Sequence, residues 1–291
     1  MKPRRFPWFS YTVIVLGGFL MVFPFLDMLA SSFKGPADYN RMHYAFLPEQ
    51  FLLDNYGTAF EKLKLGLLFR NSIIKSVATT VLVLLTSSLA GYALTKLRFR
   101  GRQLTFRFIL ATMMFPGFLF LIPNFYIMVH FPLVGGNDLF GEGGDGGMAQ
   151  YRLALILPFA VSAFGIFLMR QFILTINDAY IEAARIDGAS ELRIFFQLIL
   201  PMTVPALATL AIFEFIGSWN EFIWSLLMYT VNTELATLPV GIQQLKSHLD
   251  ASMTQPLVNA AMVISTVPIL LVFIFLQKYY IRGLTNTGLK E

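Results

Sequence analysis

Residues Leu257 to Leu276 read LVNAAMVISTVPILLVFIFL, twenty positions without a charged side chain. At 1.5 Å per residue, a helix over such a stretch covers roughly 30 Å, the thickness of the hydrocarbon core of a bilayer. Only a backbone that satisfies its own hydrogen bonds is stable there, so the stretch predicts a membrane-spanning α-helix. Five other mostly apolar stretches meet that length: Tyr11 to Ala30, Ser72 to Leu94, Thr105 to Val129, Leu153 to Leu174 and Val204 to Met228. Composition agrees with them. The 291 residues are 56% hydrophobic and 13% charged, with 30 phenylalanines and a mean hydropathy of +0.64, whereas soluble domains carry about 25% charged residues. The expected fold is an all-α integral membrane protein with six transmembrane helices, residues 1–291 forming a single transmembrane domain.

Basic residues orient the spans. Lys2, Arg4 and Arg5 precede the first one, whose apolar run exceeds the roughly 7–15 residues of a signal-peptide core, so a retained signal anchor is expected. With the N-terminus inside, 14 of the 22 basic residues fall on the cytoplasmic side and seven outside, leaving Lys75 within the second span. The connector from Lys96 to Arg107 alone holds five positive charges and no acid. The positive-inside rule therefore places both termini in the cytoplasm. It also accounts for the net charge of +5 without nucleic acid as a partner.

Several chemistries are disfavoured. Cysteine is absent, which removes disulfides, thiolate metal sites and thiol nucleophiles. His43, His130 and His248 are far apart in sequence and form no metal-binding spacing, so no metal site is expected. Residues 135–147 hold a glycine-rich run whose acids miss the EF-hand pattern, and a flexible outer connector is expected there. No Gly-Lys dipeptide occurs, so a phosphate-binding loop is excluded from the sequence.

Between the fourth and fifth spans runs Asn177-Asp178-Ala179-Tyr180-Ile181-Glu182-Ala183-Ala184-Arg185-Ile186-Asp187-Gly188-Ala189-Ser190. It reads as helix, stop, helix. Asn177 or Asp178 can cap the first helix, and Gly188 suits the left-handed residue that ends it. Ser190 can cap the second, with Glu191 at its positive dipole end. Pro201 closes the segment and Pro205 fits the first turn of the fifth span. A helix this short is marginal by itself and needs a partner. Ala183 and Ala184 offer a surface without bulk for one, with Glu182, Arg185 and Asp187 supplying charge; an ordinary surface helix fits the same spacing.

Glu182-Ala183-Ala184, Gly188, and then Leu198, Leu200 and Pro201 resemble the EAA motif of permease subunits in binding-protein-dependent ABC importers, with Leu198 where that family commonly has isoleucine. Trp219-Asn220-Glu221-Phe222 and Thr237-Leu238-Pro239-Val240-Gly241 are similar to its maltose-type, carbohydrate-importing branch. The resemblance implies that residues 177–200 form a cytoplasmic coupling helix segment between spans 4 and 5. Glu182, Ala183, Ala184, Asp187 and Gly188 would there engage a separate ATPase. It further implies a bacterial inner-membrane location, a second homologous permease subunit, two ATPase subunits that bind ATP and Mg, an external or periplasmic solute-binding protein, a carbohydrate substrate, and no cofactor on this chain. The outer region from about Thr230 to Thr254 resembles the part that touches the binding protein, with Gln243, Gln244, Lys246 and His248 as candidates; solvated polar residues read equally well there.

Ionisable residues inside a span cost about 2.5–3.5 kcal/mol on insertion scales and normally face a cavity or a partner. Glu214 and Glu221 are two helical turns apart in the predicted fifth span and, with Gly217 and Ser218, share roughly one face. One reading lines a sugar pathway with Glu214, Trp219, Asn220 and Glu221. The other gives the carboxylates packing roles, such as a pair with a basic residue on another span. Hydrolysis by paired acids is disfavoured in a span poor in water. A different class of function, a stand-alone secondary carrier using Glu214 or Glu221 as proton sites, leaves the 182–188 segment without a purpose.

Overall fold

The computed structural model describes residues 8–39, 43–62, 64–248 and 251–287, and among these there is no β-strand. The helices in chain order are α1 (Trp8–Ser31), α2 (Pro36–Tyr39), α3 (Asp54–Lys62), α4 (Leu65–Lys96), α5 (Arg102–Thr112), α6 (Leu121–Val129), α7 (Ala163–Leu174), α8 (Asp178–Ile186), α9 (Glu191–Ile194), α10 (Leu200–Met202), α11 (Val204–Asn220), α12 (Ile223–Val231), α13 (Leu238–His248) and α14 (Ala251–Thr287). Three helical stretches are continuous and apolar enough to span: α1, α4 and Gln255–Tyr279 within α14.

The third, fourth and fifth expected spans are broken helices. A 95° bend separates α5 from the helical stretch Gly117–Val129, and a 47° bend separates the 3₁₀ turns of Arg152–Phe159 from α7. Glu191–Met202 meets α11 at 77°. Proline marks each break: Pro116 precedes Gly117, Pro158 lies in the last 3₁₀ turn, and Pro201 and Pro205 flank Thr203. Each removes an amide donor and crowds the preceding turn. Residues Phe195–Ile199 widen to a π-helix just before Pro201, a common way to absorb a disturbed hydrogen-bond ladder. A further difference concerns Val204 to Met228, predicted as one helix. It stops at Asn220 and resumes at Ile223, with Glu221 in an extended conformation.

The chain divides into two compact units, Met1–Gly66 with Gly241–Val267, and Leu67–Val240 with Pro268–Glu291. In the first, Asn55 Nδ2 donates to the carbonyls of Ser32 and Lys34, both at 2.9 Å, and Ser32 Oγ meets the Tyr56 hydroxyl at 2.7 Å. Asn259 donates to the Tyr39 hydroxyl, and the Tyr44 hydroxyl donates to Asp27.

In the second unit, α4 and α7 cross closely at two small residues. A Cβ on Gly165 would lie 2.4 Å from Ser87 Oγ, and one on Gly91 would lie 3.0 Å from the Arg170 amide nitrogen. Small residues at helix contacts let backbones approach in lipid, where apolar burial alone gives little drive. One core joins α4, α7, α8, α9 and α11 through Tyr92, Ile173, Ile181, Ile194, Phe195 and Leu210. Another gathers Met128, Met148, Leu155, Trp224 and Met228. The glycine-rich run, expected as a flexible connector, is a specific folded loop. Asn137 Nδ2 donates to the carbonyls of Val129 and Phe131, and Asp138 Oδ1 accepts from the amides of Phe140 and Glu142. Backbone donors hold the exposed Asp138 carboxyl below its ordinary range.

Candidate functional site

Helix α8 begins and ends with dedicated chemistry. Asn177 Oδ1 accepts from the Ala179 amide at 3.0 Å, satisfying a free N-terminal donor. At the other end Gly188 has φ of +78°. The Gly188 amide donates to Arg185 O and the Ala189 amide to Ala184 O, both at 3.0 Å. These two bonds form a Schellman motif, which requires the left-handed residue that glycine adopts without penalty. The Ser190 hydroxyl then accepts from the Arg193 amide to open α9.

Ile181 anchors the nine-residue helix from beneath. It is 2% exposed, in the core with Tyr92, Ile173 and Phe195. Burying such a side chain contributes about 1.5–3 kcal/mol, which offsets the marginal propensity of a short helix. Polar contacts hold the flanks. Lys96 at the end of α4 donates to Asp178 Oδ1 at 2.5 Å and to Ile176 O at 2.6 Å. Glu191 bridges two elements, accepting from Arg185 Nε at 2.8 Å and from the Tyr92 hydroxyl at 2.5 Å. The Lys96 ammonium holds the Asp178 carboxyl below its ordinary range.

The outward face of α8 is uncovered. Tyr180, Glu182, Ala183 and Asp187 are exposed, and Ile186 is 86% exposed. Ala184 differs from the expectation that both alanines face outward, because it is half-buried against the core below. The exposed set mixes apolar and charged groups over two turns of a helix capped at both ends.

A second polar centre lies inside the same unit. Lys75, on α4 and 1% exposed, donates to Glu221 Oε2 at 2.5 Å and to Ser225 Oγ at 2.8 Å. Glu221 Oε1 accepts from the Trp224 amide at 2.5 Å, and Oε2 from the Ser225 amide at 3.2 Å. The carboxylate thus completes the N-terminus of α12 as well as pairing with Lys75. This explains the break at Glu221: a carboxylate that accepts from the amides three and four residues ahead sits outside the helix it starts.

Glu214 and Glu221 consequently do not share a continuous helical face. Glu214, half-buried on α11, lies near Ser162. Trp219 is 3% exposed, stacked on Phe215 at 5.7 Å and edge-on to Phe69 at 5.6 Å. Its ring is therefore committed to an aromatic cluster within the chain, while Asn220 is exposed. On α13, Gln243 is exposed and Gln244 half-buried; the side chains of Lys246 and His248 lie outside the described residues. Among the described residues no group of three His, Asp or Glu side chains gathers as a metal site.

Residues 83–286 match the family model of the binding-protein-dependent transport system inner membrane component. An arabinooligosaccharides transport system permease protein of Halalkalibacterium halodurans is 34% identical over the full length of both chains. A diacetylchitobiose uptake system permease protein of Streptomyces coelicolor is 32% identical over 98% of this chain and 89% of its own. An sn-glycerol-3-phosphate transport system permease protein of Pectobacterium atrosepticum is 30% identical over 96% of each. A chain in the crystal structure of a bacterial ABC transporter involved in alginate import superposes with a TM-score of 0.79 at 26% identity, over 95% of this chain and 97% of that one.

The chain belongs to the inner-membrane permease components of binding-protein-dependent transport systems. It is a transport subunit of an ABC importer rather than a catalytic one.

Proposed function

We propose that this chain forms one half of the membrane pathway of a carbohydrate importer. It would work by alternating access with a second permease, a periplasmic or external binding protein, and two ATPase subunits that bind ATP and Mg. The observation that carries the reading is the capped helix α8, whose uncovered face fits the cleft of a cytoplasmic ATPase. In this reading Glu182, Ala183 and Asp187 make the contact, Ala184 keys the helix to the core, and Gly188 sets the angle at which it leaves. Both termini lie in the cytoplasm, because the basic connectors then fall on the side where positive charge is retained.

The substrate is an oligosaccharide. The named relatives that take arabinooligosaccharides and diacetylchitobiose support this class, as does the alginate importer. Within the pathway, Glu214 and Asn220 are the groups that meet hydroxyls, while Lys75, Glu221 and Trp219 form the frame that positions them. Gln243 and Gln244 on α13 face the binding protein, with Lys246 and His248 as further sequence candidates whose side chains lie outside the described residues. Co-purification from native membranes, followed by ATPase assay with candidate sugars, glycerol 3-phosphate and the binding protein, tests the proposal. A complex with a second permease and an ATPase, stimulated by sugar-loaded binding protein, is the expected result. Stimulation by glycerol 3-phosphate alone would overturn the substrate class. A chain that purifies alone and moves solute along a proton gradient would overturn the importer reading.

A further inference from the structure

The first unit holds a cavity of about 500 Å³ that the reading above does not use. Asp27 of α1, Lys34, Tyr39 and Tyr44 of the residues that follow it, and Gln255 and Asn259 of α14 line it. Lys34 is the group that needs a reason. It is 4% exposed, yet among the described residues its ammonium has no carboxylate partner, whereas a buried cation normally has one. One of its three N–H bonds goes to Ser31 Oγ at 3.1 Å. The ammonium stands 4.9 Å from the centre of the Tyr44 ring and 6.0 Å from that of Tyr39. Two donors are left over.

Spare acceptors line the same space. Asp27 accepts from the Tyr44 hydroxyl through one oxygen and keeps the other. Asn259 donates to the Tyr39 hydroxyl at 2.9 Å and keeps its carbonyl oxygen. The exposed Gln255 has no partner for its side-chain amide among the described residues. Tyr39 is fixed as well, because its hydroxyl donates to Ser31 O at 3.2 Å.

Charge selects the occupant. Lys34 repels a cation, and Asp27 and Asp38, both in the lining, repel an anion. A neutral molecule that donates and accepts at several points suits both signs. Tyr44, 69% exposed, adds an aromatic surface for the C–H face of a ring. A sugar unit combines these properties, and the volume lies within the roughly 300–1,000 Å³ of small-molecule sites.

We propose that this cavity is a saccharide subsite, with Lys34 and Asp27 on the hydroxyls of one sugar ring, Tyr44 against its face, and Asn259 and Gln255 completing the contacts. In the orientation proposed above it lies on the entry side. It is additional to Glu214 and Asn220, which belong to the second unit. That the bound saccharide is the transported one rests on the function proposed above; the binding does not.

The chain contains no cysteine, so Gln255→Cys gives it a single thiol for maleimide labelling in the native assembly in nanodiscs, read on this chain by mass spectrometry. Titration with arabinotriose or diacetylchitobiose is expected to slow labelling saturably, about threefold at twice the half-protecting concentration. Labelling of Glu61→Cys, exposed on α3 and outside the cavity, stays constant. Asp27→Asn keeps the shape and still accepts from Tyr44 but exchanges the spare acceptor for a donor; added to Gln255→Cys, it raises the half-protecting concentration about fivefold. Labelling unchanged by both sugars, or protection indifferent to Asp27→Asn, would overturn the subsite. Equal protection by glycerol 3-phosphate would reassign the cavity to an anion, and protection by sugar-free binding protein would reassign it to a protein contact. Sugar-stimulated ATPase without protection leaves the importer reading intact and removes the subsite; protection in an assembly that moves no sugar does the reverse.

Discussion

Lys75 and Glu221, 146 positions apart in the chain, close a 2.5 Å ion pair in the interior of the second unit and share the Ser225 hydroxyl as a common partner. Taking either charge away leaves the other buried without compensation, at about 3–5 kcal/mol. Lys75→Met alone is expected to lower the thermal stability of the purified assembly sharply. Adding Glu221→Gln recovers part of the loss, since the amide still accepts from α12 and no charge remains. Additive losses in a double-mutant cycle would show that the two residues are not coupled.

Glu221→Gln alone distinguishes a framework role from a pathway role. As a frame residue, it is expected to reduce stability and uptake together, in the proportion that assembled complex is lost. Asn220→Ala, at an exposed position, lowers uptake with the amount of complex unchanged. Sugar uptake normalised to the complex recovered from membranes separates these outcomes, and a normal rate for Asn220→Ala removes that residue from the pathway.

Gly188→Val is expected to abolish transport while the chain still inserts. No atom lies within 4 Å of a Cβ at this position, so the penalty is conformational, about 1–2 kcal/mol for a side chain in the left-handed region. Gly188→Asn, which tolerates that region, retains most of the uptake. Equal activity in Val and Asn variants would contradict the role of the turn.

Glu182→Lys and Ile186→Asp change the uncovered face of α8 without touching Ile181. Both should reduce the ATPase recovered with the permease on membranes. Unchanged co-purification would place the contact elsewhere.

The anchor between Lys96 and Asp178 is sensitive to acid. Its folded carboxyl titrates below the ordinary 3.8 because the ammonium favours the charged form. The stabilisation it gives α8 is therefore complete above the ordinary value and is lost as pH falls through the depressed one. Hydrogen exchange of the α8 amides should stay slow down to about pH 4 and accelerate below it. In Lys96→Met the protection is weaker throughout and its acid dependence shifts upward.

Much of this arrangement was legible in the residues. Asn177, Gly188 and Ser190 each have a local role set by backbone chemistry, and α8 is bounded where they indicate. Hydropathy located the six apolar stretches but not the bends, because a length criterion counts apolar residues across a break as readily as along a helix. The prolines at 116, 158, 201 and 205 were the signal for three of those breaks. The interruption at Glu221 had a subtler one: a lone cation, Lys75, in the second span and two anions, Glu214 and Glu221, in the fifth. Each is costly alone, and their opposite signs pointed to a pair, yet sequence separation hid the partner. The enclosure of Trp219 by Phe215 and Phe69 depends on α4 packing beside α11, which periodicity does not specify.

In the coupling role proposed above, the 77° angle at Thr203 would set how motion leaves the capped segment. Residues 191–202 form an arm of roughly 18 Å and α11 one of roughly 26 Å, at 1.5 Å per residue. Two rigid arms near a right angle make a bell crank: a push on the short arm would emerge as a tilt of the long one. In that role the far end of α11, where Asn220 and Glu221 sit, would travel about one and a half times as far as the point that was pushed.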